Sequence, residues 1–258
     1  MPPKREDLPV RGTKTAFQII EGLKTLQRAG VTELANYLDM SKSGVHNHLQ
    51  TLHALEYVTR DGNTFQLGQR FLEIGERTRT SIPLYRFGRS IIDNLARTCG
   101  GLAGALIEEN GDGVYIYTKS GREKTGDPPV WDGFRVPLHA TAGGKAILAG
   151  LPDDTRQSIV ESNELEAITE HTATTRSELR NELQVIRERG VAYENQEYES
   201  DRHAVAVPVS DPDDAVAGAI CVTATTSETS GRTLEEEVSG QVISAGKELE
   251  RELLESAE

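Results

Sequence analysis

Ser43, His46, Asn47 and Gln50 are spaced i, i+3, i+4 and i+7, which puts four side chains on one stripe of a helix. Val45, Leu49, Leu52 and Leu55 fall on the opposite side and are expected to point inward. Every member of the polar stripe can hydrogen-bond and none is acidic, so nothing on it repels a phosphate. Asn and Gln can pair two ways with an adenine edge, serine can donate or accept, and Lys42 in the first turn can reach a phosphate. The chemistry these residues suit is the reading of double-stranded DNA, with Arg60 on a following hairpin placed against the DNA backbone.

Other chemistry finds less support. Gly144-Lys145 invites a phosphate-loop reading, but that pattern needs Gly at 139 and Ser or Thr at 146, where the chain has His139 and Ala146. His46 and His48, two apart on a helix, point to different sides and make no ligand pair. Cys99 and Cys221 are the only cysteines, too few for a disulfide framework and outside any CxxC pair; both read as small packing residues, and His139 as a packing histidine. Tyr115, Tyr117 and Trp131 are candidates to line a cavity. No serine or cysteine has a nucleophile motif around it, so the expectation is a protein without catalytic residues, metal or cofactor.

The elements that must hold the polar stripe follow from periodicity. Ala16, Ile19, Ile20, Leu23 and Leu26 mark an amphipathic helix over 15–26, ended by Gly30. A short helix over 33–38 follows, capped by Thr32, then a turn at Asp39-Met40. Ser41 caps the helix carrying the stripe, which runs to about Leu55. Two alternating strands, 57–60 and 64–67, flank Asp61-Gly62-Asn63 and form a wing. Three short helices and a hairpin sometimes make a protein-interaction module instead; the polar, acid-free stripe favours DNA.

Behind the wing, 68–80 reads as a linker helix and Pro83 redirects the chain. Domain boundaries are expected at 1–67 for the winged helix-turn-helix, 68–82 for the linker and 83–258 for a larger second domain. That domain shows a helix over 84–97, a hairpin of strands 102–108 and 114–119 with its turn at Asn110-Gly111-Asp112-Gly113, and strands over 191–198, 204–209 and 216–224. A helix over 176–189 begins in a Thr175/Glu178 capping box and ends at Gly190, and a final helix spans 233–254. The fold class is α+β with a mostly antiparallel sheet.

The formal charge of -13 is not uniform. Residues 1–80 carry 11 basic and 9 acidic side chains, and residues 81–258 carry 17 and 32, so the acidity belongs to the second domain. No apolar run approaches the ~20 residues of a membrane span, and the first ten residues hold no signal-peptide core, so a cytoplasmic protein with no membrane partner is expected. The acidic surface, with few lysines, is that of a protein from a salt-rich cytoplasm.

Three stretches resemble the IclR family of transcription regulators. The most specific is Val136-Pro137-Leu138-His139-Ala140-Thr141-Ala142-Gly143-Gly144-Lys145-Ala146-Ile147-Leu148-Ala149; the others are Ser41-Lys42-Ser43-Gly44-Val45-His46, and Ile186 to Tyr193 followed by Ala206-Val207-Pro208-Val209. The resemblance implies a GAF-like or profilin-like effector domain, a homodimer or homotetramer on a palindromic operator, and a small metabolite effector, an organic acid or sugar-derived compound. With the acidic balance, it implies a family member from a halophilic archaeon. It adds Ser41 and Gly44 to the DNA-binding set of Lys42, Ser43, His46, Asn47, Gln50 and Arg60. It also places Ala142, Gly143, Glu194, Ala204, Cys221 and Thr223 around the effector. The chain departs from the family in having Asp201-Arg202-His203-Ala204 where Gly-x-x-Cys is common, and Glu194 where aspartate is common. Arg202 and His203 are either the residues that make up the lost polar contacts or plain surface residues.

Overall fold

In a computed structural model, residues 9–121, 130–227, 231 and 234–256 are described. The chain divides into two compact units, Met1–Arg79 and Thr80–Glu258.

The first unit is built from α1 (Arg11–Leu26), β1 (Ala29–Gly30), α2 (Val31–Tyr37), α3 (Lys42–Ala54), β2 (Val58–Asp61), β3 (Thr64–Leu67) and most of α4 (Arg70–Thr80). Its three strands pair antiparallel in the order β1-β3-β2. Ile19, Leu23, Leu34, Val45 and Leu49 are fully buried in one core, as the sequence periodicity requires.

Three expectations need correcting. Helix α1 ends at Leu26 as expected but starts at Arg11, and Gly30 is not its terminator, because Ala29 and Gly30 pair with Phe65 and Thr64 and must be extended. That pairing also makes Gly30, not Thr32, the N-cap of α2. The Gly30 N–H donates to the Glu33 carboxylate at 3.4 Å, half of a capping box whose other half a glycine cannot supply. Leu55 is 51% exposed: it is the C-cap of α3, already turning out of the helical stripe, and its carbonyl accepts from Arg70 at 2.9 Å.

The second unit contains α5 (Pro83–Cys99), β4 (Leu102–Glu109), β5 (Asp112–Ser120), β6 (Arg135–Pro137), a 3-10 turn over Leu138–Ala140, α6 (Ala142–Gly150) and α7 (Asp153–Ser162). It continues with α8 (Arg176–Arg189), β7 (Ala192–Asn195), β8 (Arg202–Ser210), β9 (Val216–Thr225), a π turn over Leu234–Val238 and α9 (Ser239–Glu255). The expected start of the last helix, Thr233, lies outside the described residues. The six strands form one sheet in the order β6-β5-β4-β9-β8-β7, every pair antiparallel.

Side chains alternate across that sheet. Ala103, Ala105, Val205, Val207, Ile220 and Val222 pack with Leu84 and Ile92 of α5 and Val242 and Leu249 of α9. Leu102, Ala204, Ala206, Ala219 and Cys221 face the other way and pack with Ile147 and Leu148 of α6 and Leu179 and Leu183 of α8. The result is a helix-sheet-helix sandwich. Pro83 stands at the first turn of α5, where its missing N–H costs nothing. The turn expected over 110–113 is only two residues long: Asp112 and Gly113 already pair with Glu109 and Glu108, and Asn110 (φ 57°) and Gly111 (φ 88°) close the β4–β5 hairpin, both in the left-handed region that a two-residue primed turn demands.

The strand expected over 191–198 stops at Asn195. The chain turns at Gln196 (φ 60°), and the Thr169 and Thr172 hydroxyls donate to the Gln196 and Glu197 carbonyls at 2.7 and 2.6 Å. The loop backbone is thereby tied down, and the Glu197 side chain points into the protein.

Candidate functional site

In the first unit α3 presents the expected stripe. The Ser41 hydroxyl caps it by accepting from the Gly44 N–H at 3.1 Å, which satisfies one of the otherwise free donors of the first turn. Lys42, Ser43, His46 and Asn47 are exposed and Gln50 is half-buried, while Val45, Leu49 and Leu52 are buried beneath them. No acidic side chain lies within Lys42–Ala54. The β2–β3 hairpin turns at Gly62 (φ 58°), with Asp61 opposite Thr64.

Arg60 is exposed, donates from Nε to the Gly62 carbonyl at 2.8 Å, and holds its guanidinium 5.6 Å from the Phe65 ring centre. Asp61, the one carboxylate on the hairpin, is paired with Arg28 at 3.1 Å. The face therefore offers hydrogen-bonding side chains on a helix, flanked by cations, with its nearest wing carboxylate neutralised. That combination suits a duplex groove lined by phosphates.

In the second unit the six residues expected around an effector, Ala142, Gly143, Glu194, Ala204, Cys221 and Thr223, line one cavity. The sheet explains the convergence. Thr223 on β9 lies between Leu102 on β4 and Ala204 on β8, and Ala204 is opposite Glu194 on β7. Period-two alternation sends these side chains to the face that α6 covers.

Small side chains at Ala204, Ala206 and Cys221 leave room for the N-terminus of α6 to come down on the sheet. Its glycines are needed there: a Cβ on Gly143 would meet Leu106 at 2.8 Å, and one on Gly144 would meet the Leu138 carbonyl oxygen at 2.3 Å. Thr141 caps the helix by accepting from the Gly144 N–H at 3.1 Å. The other N–H groups of the first turn have no partner within the helix and favour negative charge.

Tyr115, Thr141, Tyr198, Glu199 and Arg202 complete the polar part of the lining. Of the three aromatic candidates, Tyr115 lines the cavity, Tyr117 donates to Asp93 at 2.6 Å, and Trp131 is half exposed. Of the two residues at the departure from the family pattern, Arg202 lines the cavity and pairs with Glu199, while His203 is not among the lining residues. Burial pushes the Cys221 thiol up to about 12, so it is a neutral wall of the cavity and not a nucleophile. His139 is buried and bonds the Glu166 carbonyl at 3.1 Å, the satisfied packing role expected of it.

Glu194 is the charged group most altered by the site. Burial raises its carboxyl to about 7, opposed by N–H donation from Glu197 at 2.7 Å and Tyr198 at 3.3 Å. Next to it lies a cluster that periodicity gave no hint of. Lys145, only 2% exposed, donates to both oxygens of Glu197 at 2.7 and 2.8 Å and to Glu182 at 3.1 Å. Burial raises the Glu197 carboxyl and Lys145 pulls it back. One signal was present: Lys145 is the sole charge in the otherwise apolar helix Ala142–Gly150, and a lysine there needs a buried partner. Sequence spacing could not identify Glu197, 52 residues on.

The cavity holds about 30 Å³. That is room for a water or two and well short of the ~300 Å³ or more of a typical ligand site. An occupant larger than water requires the lining side chains to move.

Comparison with known proteins agrees with both units. The IclR helix-turn-helix domain matches residues 15–62, and the bacterial transcriptional regulator IclR C-terminal domain matches residues 77–251. The chain is 32% identical over 214 residues to the "Probable HTH-type transcriptional regulator ArcR" of Halobacterium salinarum, covering 81% of each. It is 32% identical over 208 residues to the transcriptional regulator KdgR of Escherichia coli, covering 76% of this chain and 74% of that one. The IclR structure from Thermotoga maritima superposes with a TM-score of 0.79 at 25% identity, covering 94% of this chain and 98% of that one. An IclR homolog from Microbacterium hydrocarbonoxydans, complexed with 4-hydroxybenzoate, shares the fold with a TM-score of 0.78 at 15% identity, covering 93% and 99%.

Proposed function

The chain belongs to the IclR family of DNA-binding transcription regulators, which are not enzymes, and from that premise we propose that a small organic anion in the Glu194 cavity controls its action on DNA. The observation that carries the reading is the meeting of Ala142, Gly143, Glu194, Ala204, Cys221 and Thr223, drawn from four separate elements, around one cavity. The first-turn N–H groups of α6 and the Arg202 side chain favour a carboxylate, and the tyrosines favour a compact carbon skeleton. Organic acids, including aromatic ones such as the 4-hydroxybenzoate bound by the Microbacterium homolog, and sugar-derived acids are the compounds to try first.

On the DNA side, Asn47 and Gln50 read base edges, Ser43 and His46 support them, Ser41 and Gly44 set the start of the helix, and Lys42 and Arg60 hold phosphates. The protein works in the cytoplasm as a homodimer or homotetramer on a palindromic operator. The effector changes the placement of paired reading heads through the chain of α4, since half-site spacing decides whether two recognition helices dock together.

Titration of candidate acids, read as the shift of thermal unfolding and as the change in DNA affinity, tests this. A compound that raises the unfolding temperature in the wild type, but not in Glu194→Ala, and alters DNA affinity supports it. A second reading, that the domain is closed and takes no ligand, draws on the small cavity volume. It predicts that no acid shifts unfolding and that DNA affinity is constant.

A further inference from the structure

Helices α7 and α8 form the walls of a second, larger recess of about 460 Å³, a volume within the ~300–1,000 Å³ range of small-molecule sites. None of its lining residues lines the Glu194 cavity. Leu179, Leu183 and Val160 make an apolar floor, and Arg156, Arg176, Arg180 and Arg187 stand around it against the carboxylates of Asp153 and Glu161.

The bonding leaves the positive charge largely unspent. Arg156 and Arg187 both donate to the same Asp153 oxygen, at 2.5 and 2.6 Å, so one carboxylate serves two guanidiniums. Their remaining bonds are to neutral carbonyls, Arg156 to Leu151 at 3.1 Å and Arg187 to Ala149 at 2.9 Å. Arg176 donates to the Glu161 backbone carbonyl at 3.3 Å, not to its carboxylate, which takes the Gln157 amide at 2.7 Å. Arg180 has no hydrogen bond or ion pair among the described residues and is exposed. Four arginines facing two carboxylates in one recess stand out on a domain where acidic side chains outnumber basic ones by 32 to 17.

We infer that this recess binds a small organic polyanion, a phosphate ester or polycarboxylate with a short carbon skeleton, at a site separate from the effector cavity. Arginine forks match the planar or tetrahedral oxygens of such groups and pair with them in bidentate fashion. Two fixed guanidiniums at the Asp153 end and two freer ones at the Arg176–Arg180 end give a multiply charged ligand more than one guanidinium to pair with. The apolar floor takes its carbon skeleton.

Calorimetric titration of the full chain with citrate, with glycerol 3-phosphate and with acetate tests the inference. At least one of the first two is expected to bind saturably, about tenfold or more tighter than acetate, because multiple charge-assisted bonds add; which of them binds separates carboxylate from phosphate chemistry. Arg180→Ala and Arg176→Ala should each weaken that binding about tenfold, and Arg180→Lys by less, since it keeps the charge and loses the fork. Arg251→Ala, which removes an exposed cation on α9, should leave it unchanged. Saturable binding by neither polyanion, as would follow if another chain covers the recess, overturns the inference. An equal loss in Arg251→Ala and Arg180→Ala also overturns it.

Discussion

Glu194 sits on the wall of the cavity with its carboxyl raised from 4.5 to about 7 by burial. The folded chain therefore holds this proton more tightly than the unfolded chain, and its contribution to stability is lost as pH rises between those two values. The shift corresponds to about 3 kcal/mol over the window. Chemical denaturation at several pH values should show Glu194→Gln with a flatter slope than the wild type between pH 4.5 and 7, and with higher stability above it. An unchanged slope would mean that Glu194 is solvated and paired differently from the geometry described.

Lys145 makes the opposite case. Removing it as Lys145→Met leaves Glu197 buried without its partner, at a cost of about 3 kcal/mol; measured unfolding free energies should show it, with the larger loss at higher pH. The cavity residues were legible in sequence because they sit in motifs that resemble a known family. Glu197 was not, since its role depends on a loop tied by Thr169 and Thr172, a long-range contact that no local pattern encodes.

Elements with strong local signals formed as expected. Helix α8 begins at Thr175, whose hydroxyl accepts from the Glu178 N–H at 3.2 Å while Glu178 accepts from the Thr175 N–H at 3.1 Å. It ends at Gly190 with φ 72°, where a side chain would be strained. Thr175→Ala should lower stability by about 1 kcal/mol, and Gly144→Ala by more, because its Cβ would collide with the Leu138 carbonyl; thermal unfolding of both variants ranks the two effects. Where pairing partners lie far apart in sequence, local reading stopped short. Gly30 looked like a helix terminator and serves instead as the end of β1 and the cap of α2, because β3, more than thirty residues on, claims its backbone. Helix α7 has a weakly apolar pattern and no buried residue, which is why periodicity did not announce it.

At the scale of the whole molecule the charge is split: the first 80 residues carry 11 basic against 9 acidic side chains. A reading head so weakly basic gains little from phosphate attraction and counterion release, so on the proposed reading specificity rests on the α3 stripe. The acidic second unit repels itself, and screening by salt relieves that repulsion. Its unfolding temperature should rise between 0.1 M and roughly molar KCl if the protein is built for a salt-rich cytoplasm, and a flat response would remove that assignment. The most direct measurement of the central claim is selection of random duplexes by the full chain, followed by affinities of the enriched duplex for wild type, Asn47→Ala and Gln50→Ala. The expected result is one enriched, two-fold symmetric sequence, with about 1–3 kcal/mol lost in each variant together with relaxed choice at the contacted base. No enriched sequence, or equal affinity across the three proteins, would contradict the assignment of α3 as the helix that reads DNA.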